Sequence, residues 1–436
     1  MQLLVLVDTI APRIGYILNH VLGTMLGFKV ELTTDEAAFN SSILPKIAYS
    51  SHKVESAIQI YPHVIMQQKG ISVQGIQVSQ WRGLPIFFQT NASAIIPFDI
   101  FAASFYLISR YEEYLPFKAD PHGRFPSRSS LAVKNNFLHL PLVDLWADEL
   151  GKILTNNFPN IRVLKRKFEY VPTIDIDNAF AYKHKGLLRN KLGVANSLVH
   201  FKFADAFRRL LVCFRLKPDP FDTYETLLSF LPSNAVWFVL GGNFSKFDRN
   251  ISVSHRVLQE KLGKISARHT IGLHPSYSSF NNFEKLMSEK KRLEESIHSS
   301  VEHSRQHFLR LQLPKTNRLL AQAKIKFDYS MGYPDAIGFR ASTCTAYNFY
   351  DIVDEKALSL KIIPFQVMDR ALLQGLKLNP EQAVEQTLAM AKMVKSVKGT
   401  FVTVWHNETL SGINEWKGWG NVLRDILEKI DSGIVQ

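Results

Sequence analysis

The segment 173–178, Thr-Ile-Asp-Ile-Asp-Asn, carries two carboxylates, Asp175 and Asp177, at the end of an apolar run. Residues at positions i and i+2 of a strand face the same side, so the two carboxylates would lie together. Neighbouring carboxylates raise each other's pKa unless a cation lies between them. The pattern predicts that one aspartate holds a divalent metal ion while the other is a general base. An Asx turn or a helix cap is the structural alternative.

A histidine follows another apolar run, in the sequence Gly-Leu-His-Pro that contains His274. The proline after His274 restricts the backbone and therefore the direction of the imidazole. A neutral imidazole suits a zinc-like ion. His269 lies nearby, but its odd spacing from His274 would place it on the opposite face of a strand. A structural histidine is the alternative interpretation of His274.

Two arginines could serve a site built from these residues. Arg305 shares a strand face with His307, so the guanidinium could pair with the catalytic carboxylate while His307 binds metal or substrate. Arg340 lies between aromatic and small residues and could reach a substrate or orient an aspartate through a bidentate pair. The alternatives are a surface arginine, a packed histidine and core aromatic residues.

A third histidine, His406, ends an apolar run beside Trp405. Imidazole is the natural group to protonate a leaving amine near neutral pH. Asp369 could hydrogen-bond His406 and fix its tautomer. Taken singly, both residues also have ordinary structural interpretations.

The elements that would position these residues are short apolar runs separated by helical or loop segments. Strands that alternate with helices predict a parallel α/β barrel or an open sheet. Chemistry in such folds lies at the carboxyl ends of the strands, which is where the Asp and His residues occur. The predicted strands cover residues 168–176, 235–240, 270–273, 307–313, 361–367 and 401–405.

The first 165 residues have a different pattern and predict a separate N-terminal accessory α/β domain, followed by a barrel domain over residues 166–436. The region opens with the strand-like Leu-Leu-Val-Leu-Val, and helices are predicted over 14–26, 99–114 and 138–154. Its segments Ser-Arg-Tyr-Glu-Glu-Tyr and His-Gly-Arg-Phe could pack at the barrel mouth. We favour an interdomain structural role for both segments.

Composition narrows the class of protein. A chain of 436 residues with 46% hydrophobic residues, 30 of them Phe, is long enough for two or three domains with sizeable cores. Two cysteines exclude a disulfide scaffold and a cysteine-based zinc module. The N-terminus lacks a signal-peptide pattern, and no apolar run reaches about 18 residues, so a cytoplasmic protein is expected.

The net charge of +13 is concentrated in one segment. No zinc-finger spacing, RNP-like segment or P-loop accompanies this charge, so nucleic acid is not an expected partner. Residues 183–217 contain one acid, Asp205, and interleaved apolar residues. This pattern predicts either a barrel-covering helix with a basic outer face or contact with an anionic membrane surface, peripheral at the inner membrane. The nine basic residues are Lys183, Lys185, Arg189, Lys191, Lys202, Arg208, Arg209, Arg215 and Lys217.

The ordered motifs resemble polysaccharide deacetylases of the NodB-homology, carbohydrate esterase family 4-like type. These enzymes have a distorted (β/α)7-type barrel. Four further motifs resemble a two-domain group common in Bacteroidetes that has an N-terminal accessory domain, and this resemblance covers nearly the whole chain. The four motifs are Ser-Arg-Tyr-Glu-Glu-Tyr, Asp-Pro-His-Gly-Arg-Phe, Asp-Tyr-Ser-Met-Gly-Tyr with Gly-Phe-Arg, and Trp-His-Asn.

The resemblance implies hydrolysis of N-acetyl groups on a glycan with a divalent metal ion, usually zinc. It implies that Asp175 is the base, Asp177 and His274 are metal ligands, and His406 is the catalytic acid. Two features depart from the family pattern. Ile176 separates the two aspartates, and Ser278 occupies the position of the usual second metal histidine.

These departures leave two roles unassigned, namely the third metal ligand and the arginine of the site. His307 is the candidate ligand, with Ser278 or a water behind it, and the arginine role falls to Arg305 or Arg340. Substrate contacts are expected from residues beside the motifs, namely Tyr277, Tyr333, Trp405 and Asn407.

The sequence thus predicts a metal-dependent N-deacetylase, or a close hydrolase relative, in surface-polysaccharide metabolism. Its partner would be an N-acetylated carbohydrate, for which a lipid-linked glycan precursor is one source. The first alternative is a non-catalytic glycan-binding relative with a degenerate metal site, which Ser278 supports. A further alternative is a metal-dependent hydrolase of glycosidic or other amide bonds.

Overall fold

The N-terminal part of the chain contains a small parallel sheet and a separate hairpin. The computed structural model describes residues 1–55 and 58–433. The strands in this part are β1 (Gln2–Val7), β2 (Lys29–Thr33), β3 (Lys46–Tyr49), β4 (Ile58–Ile60), β5 (Ser79–Trp81) and β6 (Leu84–Ile86). The first four form a parallel sheet in the order β2-β1-β3-β4, and β5 pairs with β6 in antiparallel fashion. The strand predicted for the opening apolar run is confirmed as β1.

The helices of this part are α1 (Pro12–Leu18), α2 (Glu36–Ser41), α3 (Ile100–Ile108), α4 (Leu131–Lys134) and α5 (Leu142–Asn157). A π-helical segment, Asn19–Met25, continues α1 over most of the predicted 14–26 helix. The helix predicted over 99–114 is shorter than expected. Asp99 caps α3 by accepting from two backbone N–H groups, and the helix ends before Arg110, which has a φ of 56°.

The C-terminal part contains a large, mostly parallel sheet. Its strands are β7 (Glu169–Ile176), β8 (Val236–Leu240), β9 (Thr270–His274), β10 (His303–Ser304), β11 (Phe327–Asp328), β12 (Tyr347–Asp351), β13 (Lys356–Ile362), β14 (Val367–Met368) and β15 (Thr400–His406). They lie in the order β12-β13-β11-β10-β9-β8-β7-β15-β14, and β12 runs antiparallel to β13. No ladder joins β12 to β14 among the described residues, so closure of the predicted barrel is not seen there.

Helices and short turns connect these strands. The helices are α6 (Leu187–Val199), α7 (Phe203–Cys213), α8 (Tyr224–Phe230), α9 (Arg256–Ser266), α10 (Phe283–Ile297), α11 (Lys315–Gln322), α12 (Pro380–Ser396) and α13 (Val422–Asp431). Further 3₁₀ or π-helical segments are Val64–Met66, Tyr111–Tyr114, Ser127–Ser129, Tyr277–Ser279, His307–Leu309, Ala371–Gly375, Asn407–Ser411 and Asn414–Trp416. In the part of the chain that the structure describes, none of the helices combines the length and apolarity needed to cross a membrane.

Two predicted strands are misplaced. The strand predicted over 307–313 is wrong, because pairing stops at Ser304 and Phe308 has a φ of 59°, which turns the chain into a 3₁₀ segment. The strand predicted over 361–367 is observed as β13 and β14 with Pro364 between them. Proline lacks the N–H group that a continuous ladder needs, which accounts for the interruption.

A buried ion-pair network joins the two parts of the chain. Arg340 donates from Nη2 and Nε to the two carboxylate oxygens of Glu113, at 2.6 and 2.9 Å. Arg110 donates from Nε to Glu113 at 2.8 Å and from Nη2 to the hydroxyl of Tyr333 at 3.2 Å. Burial by itself would raise the pKa of Glu113, but Arg340 and Arg110 hold it below its usual value.

The positions of Arg340 and Tyr333 correct two of the predicted roles. Both side chains are buried in this network instead of facing a substrate, because the carboxylate of Glu113 and the guanidinium of Arg110 need partners away from water. One continuous apolar core contains side chains from both parts of the chain. The domain boundary near residue 165 stays a prediction.

Replacing Arg340 with Ala is expected to lower the free energy of unfolding by about 3–5 kcal/mol, because it leaves the Glu113 carboxylate buried beside one arginine instead of two. Chemical unfolding followed by circular dichroism measures this loss. The control is Lys291→Ala, which removes an exposed pair with Glu295 and should change stability by less than about 0.5 kcal/mol. Equal losses in the two variants would contradict a stabilising role for the network.

Candidate metal centre

A cavity of about 840 Å³ lies at the carboxyl ends of β7, β9 and β15. Parallel strands bring these ends to the same edge of a sheet. The register confirms the alignment, because Asp175 of β7 pairs with His406 of β15. Side chains that were far apart in the sequence therefore line one cavity. They include Asp175, Asp177, His274, His307 and His406.

Asp177, His274 and His307 form a cluster that could hold a metal ion. One ligand atom of each lies within 4.8 Å of the others. Nε2 of His274 lies 3.1 Å from Oδ1 of Asp177, and Nε2 of His307 lies 3.4 Å from Oδ2. Oδ1 of Asp177 is buried and has no hydrogen-bond partner among the described residues. Two imidazole nitrogens with a carboxylate oxygen fit zinc or a similar divalent ion.

The other ring nitrogen of each histidine is held by an acceptor. Nδ1 of His274 donates to the backbone carbonyl of Arg305. Nδ1 of His307 donates to Oδ1 of Asp248 at 2.9 Å. Both imidazoles therefore direct Nε2 towards Asp177, and such outer partners fix the orientation of metal ligands.

Asp248 is a residue that the sequence analysis missed. It is fully buried and also accepts hydrogen bonds from the backbone N–H of Tyr277 and the hydroxyl of Ser245, both at 2.8 Å. Asp248 follows β8 in an irregular loop, where no periodic pattern marks its direction. The only available signal was an acidic residue soon after the end of a parallel strand.

Charge within the cluster favours an ionised Asp177. Desolvation by itself would raise the pKa of Asp177, but His307, His406 and His274 hold it well below its usual value. Desolvation would lower the pKa of His307, but Asp177 and Asp248 raise it to about 9. The carboxylates thus attract positive charge to this position.

Asp175 and Arg305 form a buried pair beside the cluster. Nη1 of Arg305 donates to Oδ1 of Asp175 at 2.7 Å, and Nε donates to the carbonyl of Tyr329 at 3.0 Å. The guanidinium also lies 4.4 Å from the ring centre of Phe238. Oδ2 of Asp175 remains on the side of the cluster, 3.9 Å from Nε2 of His274. Of the two candidate arginines, the structure brings Arg305 into contact with Asp175, which lines the cavity.

His406 and Asp369 form a second pair. Asp369 accepts from Nδ1 and from the backbone N–H of His406, both at 2.8 Å, and from the hydroxyl of Thr409. Burial would lower the pKa of His406, but Asp369 and Asp177 raise it. Nε2 of His406 lies 3.5 Å from Oδ2 of Asp177. This imidazole thus lines the cavity with a fixed orientation.

The ligand role considered for Ser278 is corrected. The chain leaves β9 in a 3₁₀ turn, so Ser278 is exposed and its Oγ lies 3.1 Å from Oγ of Ser276. His307, the first candidate for the third ligand, comes from the segment after β10 and lies in the cluster with Asp177 and His274. Tyr277 lies in the same turn, stacked on Phe247 with ring centres 4.1 Å apart, next to the cavity.

The substrate contacts predicted for Trp405 and Asn407 are not observed, because neither side chain lines the cavity. Trp405 is fully buried, because alternate residues of a strand face opposite sides and His406 takes the cavity side. The amide of Asn407 donates to the carbonyls of Asn178 and Phe221, at 3.2 and 2.9 Å. Asn407 thus holds the backbone of the cavity wall.

The N-terminal part also contributes to the cavity, through the His-Gly-Arg-Phe segment. His122 and Arg124 are lining residues. Nδ1 of His122 lies 3.3 Å from the hydroxyl of Tyr277, and Arg124 donates to the carbonyl of Phe308 at 2.8 Å. The segment therefore packs at the cavity, which is the alternative given beside the favoured interdomain role.

Comparisons with known proteins give limited matches. Residues 3–159 match DUF7033, a family of unknown function. No curated protein matches the chain. Among solved structures, a protein described as a polysaccharide deacetylase from Mycobacterium smegmatis is 14% identical, with a TM-score of 0.40; the match covers 62% of this chain and 89% of that one.

Two further structures match a similar share of the chain. The polysaccharide deacetylase Bc1974 from Bacillus cereus is 11% identical with a TM-score of 0.26, covering 62% of this chain and 89% of that one. An allantoinase is 11% identical with a TM-score of 0.35, covering 61% of this chain and 84% of that one.

Replacing His307 with Ala is expected to weaken zinc binding by more than about a hundredfold, because it removes an imidazole ligand of the cluster. Titration of metal-free protein with zinc, followed by elemental analysis after dialysis, measures this loss. The matched control is Ser278→Ala, which should bind zinc like the unmodified protein. Loss of zinc binding in Ser278→Ala but not in His307→Ala would instead identify Ser278 as the third ligand.

Replacing Asp248 with Asn is expected to weaken zinc binding by about 10–100-fold, because the Nδ1 hydrogen of His307 loses a charged acceptor. The same titration detects this smaller effect. Asp335→Asn provides a control, since Asp335 lines the cavity but has no contact with the ligand histidines. Unchanged zinc affinity in Asp248→Asn would show that Asp248 does not support His307 as a metal ligand.

Proposed function

We propose that this protein is a metal-dependent hydrolase that removes N-acetyl groups from a glycan or glycan precursor in surface-polysaccharide metabolism. The proposal rests on one arrangement. The cluster of Asp177, His274 and His307 lies beside both a carboxylate held by an arginine and an imidazole held by a carboxylate. A base and an acid beside one metal site are the groups that hydrolysis of an amide bond requires.

Asp177, His274 and His307 would hold the ion, and their nitrogen and oxygen donors favour zinc. When bound, such an ion polarises a carbonyl oxygen and makes water a better nucleophile at neutral pH. The chain prepares the site for this ion by directing both ligand imidazoles towards Asp177.

Asp175 is the proposed general base. Arg305 holds Oδ1 and leaves Oδ2 on the cluster side, where it can accept the proton of a water that attacks the amide carbonyl. The buried guanidinium fixes the plane of the carboxylate, so the accepting oxygen is oriented before substrate binds.

His406 is the proposed general acid. Asp369 accepts the Nδ1 hydrogen and favours the protonated imidazole, while Nε2 lines the cavity. As the carbon–nitrogen bond breaks, Nε2 donates its proton to the leaving amine of the sugar. The two pairs therefore divide proton acceptance and proton donation between two groups that both lie beside the cluster.

Aromatic side chains supply surfaces suited to sugar rings. Phe247 and Phe308 line the cavity, with ring centres 5.7 Å apart. His122 lies 4.7 Å from the ring of Phe308. These apolar faces lie beside polar groups, which is the usual composition of a small-molecule site. They support a carbohydrate substrate.

The non-catalytic alternative depends on a missing ligand at Ser278. The position of His307 in the cluster supports a complete site and therefore catalysis. Zinc-loaded protein that binds N-acetylated oligosaccharides without releasing acetate would favour the glycan-binding alternative.

Replacing Asp175 with Asn is expected to lower kcat for acetate release by about 10²–10⁴-fold while zinc content is retained, because the base is lost but the ligands remain. Acetate released from N-acetylglucosamine oligomers is measured beside zinc content. The matched control is Asp354→Asn, an exposed carboxylate outside the cavity lining that pairs with Arg318 and Lys356, and it should leave kcat unchanged. Full activity in Asp175→Asn would contradict the assignment.

A further inference from the structure

Residues 183–217 form a helical hairpin, here called the basic hairpin, in which a short loop joins α6 to α7. This segment exposes an unusual concentration of large apolar side chains. Monomeric soluble proteins rarely leave such a patch open unless it contacts a partner or a membrane. The exposed residues are Leu187, Leu188, Leu192, Leu198, Val199, Phe201, Phe203, Phe207, Leu210, Phe214 and Leu216.

The exposed apolar residues lie on one face of each helix. Phe203, Phe207, Leu210 and Phe214 follow the 4-3-4 spacing of a helical stripe, and they are 59%, 64%, 41% and 72% exposed. On α6, the exposed stripe includes residues 188, 192 and 199. A helix that only covered a sheet would bury its apolar stripe. Here the stripe faces solvent.

The hairpin is also positive towards solvent. Its one acidic residue, Asp205, faces inward and accepts from the hydroxyls of Ser197, at 2.6 Å, and Tyr182. Arg209 lies 3.8 Å from the same carboxylate. Four exposed basic side chains have no acidic partner from residues 183–217, because Asp205 is the one acid in this segment. They are Lys191, Lys202, Arg215 and Lys217.

Hydrogen bonds to Asp219 hold the start of the basic hairpin against the cavity wall. Asp219 accepts from the backbone N–H groups of residues 181, 182 and 183, at 2.8, 2.8 and 2.9 Å. The same carboxylate accepts from the N–H of Phe221, a cavity-lining residue, at 3.0 Å. The hairpin thus leaves the sheet just after Asp177 and returns beside the cavity.

A second contact extends the exposed surface towards the cavity. Arg189 donates to the backbone carbonyl of Arg249 at 2.8 Å. Its guanidinium lies 3.8 Å from the ring centre of Phe244, which is 61% exposed. Lys246 and Arg249 then line the cavity. Apolar and basic side chains are therefore continuous from the hairpin to the cavity rim.

We propose that the basic hairpin docks this protein on an anionic lipid bilayer. The apolar stripes enter the boundary between head groups and acyl chains, and the flanking Lys and Arg side chains contact lipid phosphates. An anionic bilayer matches both features. Its acyl region takes up the apolar side chains of the stripes, and its head groups attract the basic side chains that have no acidic partner within the hairpin. Docking in this way places the cavity rim beside the membrane. If the proposed function holds, the substrate is then a glycan carried by a membrane lipid.

Co-sedimentation of the full chain with vesicles tests the proposal. Binding is expected to vesicles of phosphatidylglycerol and phosphatidylcholine, and little binding to phosphatidylcholine alone. Replacing Phe203, Phe207 and Phe214 with Gln should weaken binding at least about tenfold, because less apolar surface enters the bilayer. The matched control replaces exposed apolar residues outside the hairpin, Ile10, Ile43 and Val73, with Gln and should bind normally.

A charge variant separates electrostatic from apolar contributions. Replacing Lys191, Lys202, Arg215 and Lys217 with Gln should weaken binding about a thousandfold, and high salt should reproduce much of this loss. The matched control makes the same change of charge elsewhere on the surface and should retain binding. Its substitutions are Lys69→Gln, Lys285→Gln, Lys291→Gln and Lys324→Gln.

The proposal is overturned if the unmodified protein does not sediment with anionic vesicles, or if the controls lose as much binding as the hairpin variants. It is also overturned if light scattering shows a dimer that only the hairpin variants abolish. Asp175→Asn should sediment normally, and hairpin variants should release acetate normally from water-soluble oligomers. These two measurements distinguish failure of docking from failure of the proposed function.

Discussion

A carboxylate oxygen that is shielded from water needs positive charge or a hydrogen-bond donor beside it, and Oδ1 of Asp177 has no such hydrogen bond among the described residues. His274 and His307 supply imidazole nitrogens at 3.1 and 3.4 Å from the carboxylate, and His406 lies at 3.5 Å. Much of the surrounding structure keeps these three rings in place. The demand for positive charge at one carboxylate thus organises the cavity.

Each imidazole is fixed by an acceptor from a different part of the chain. The acceptors are a backbone carbonyl for His274, Asp248 for His307 and Asp369 for His406. Because each acceptor occupies Nδ1, every Nε2 is left for the cavity. This arrangement costs little reorganisation when an ion or a substrate binds, since the orientations already exist.

The two parts of the chain are coupled through buried polar contacts as well as apolar packing. Glu113 binds arginines from both parts, and His122 reaches the cavity wall beside Tyr277. The N-terminal part is therefore a component of the site's surroundings. The basic hairpin differs from this pattern, because its apolar residues face outward while its polar contacts face inward.

The sequence by itself determined the residues at the ends of long strands. Asp175, Asp177, His274 and His406 could be identified because strand periodicity and the common edge of parallel strands fix their direction. Tertiary structure decided the rest. It placed His307, the first candidate for the third ligand, in the cluster, brought Arg305 rather than Arg340 to Asp175, and added Asp248. These choices depend on irregular loops and on contacts between residues far apart in the chain, and local spacing carries no information about either.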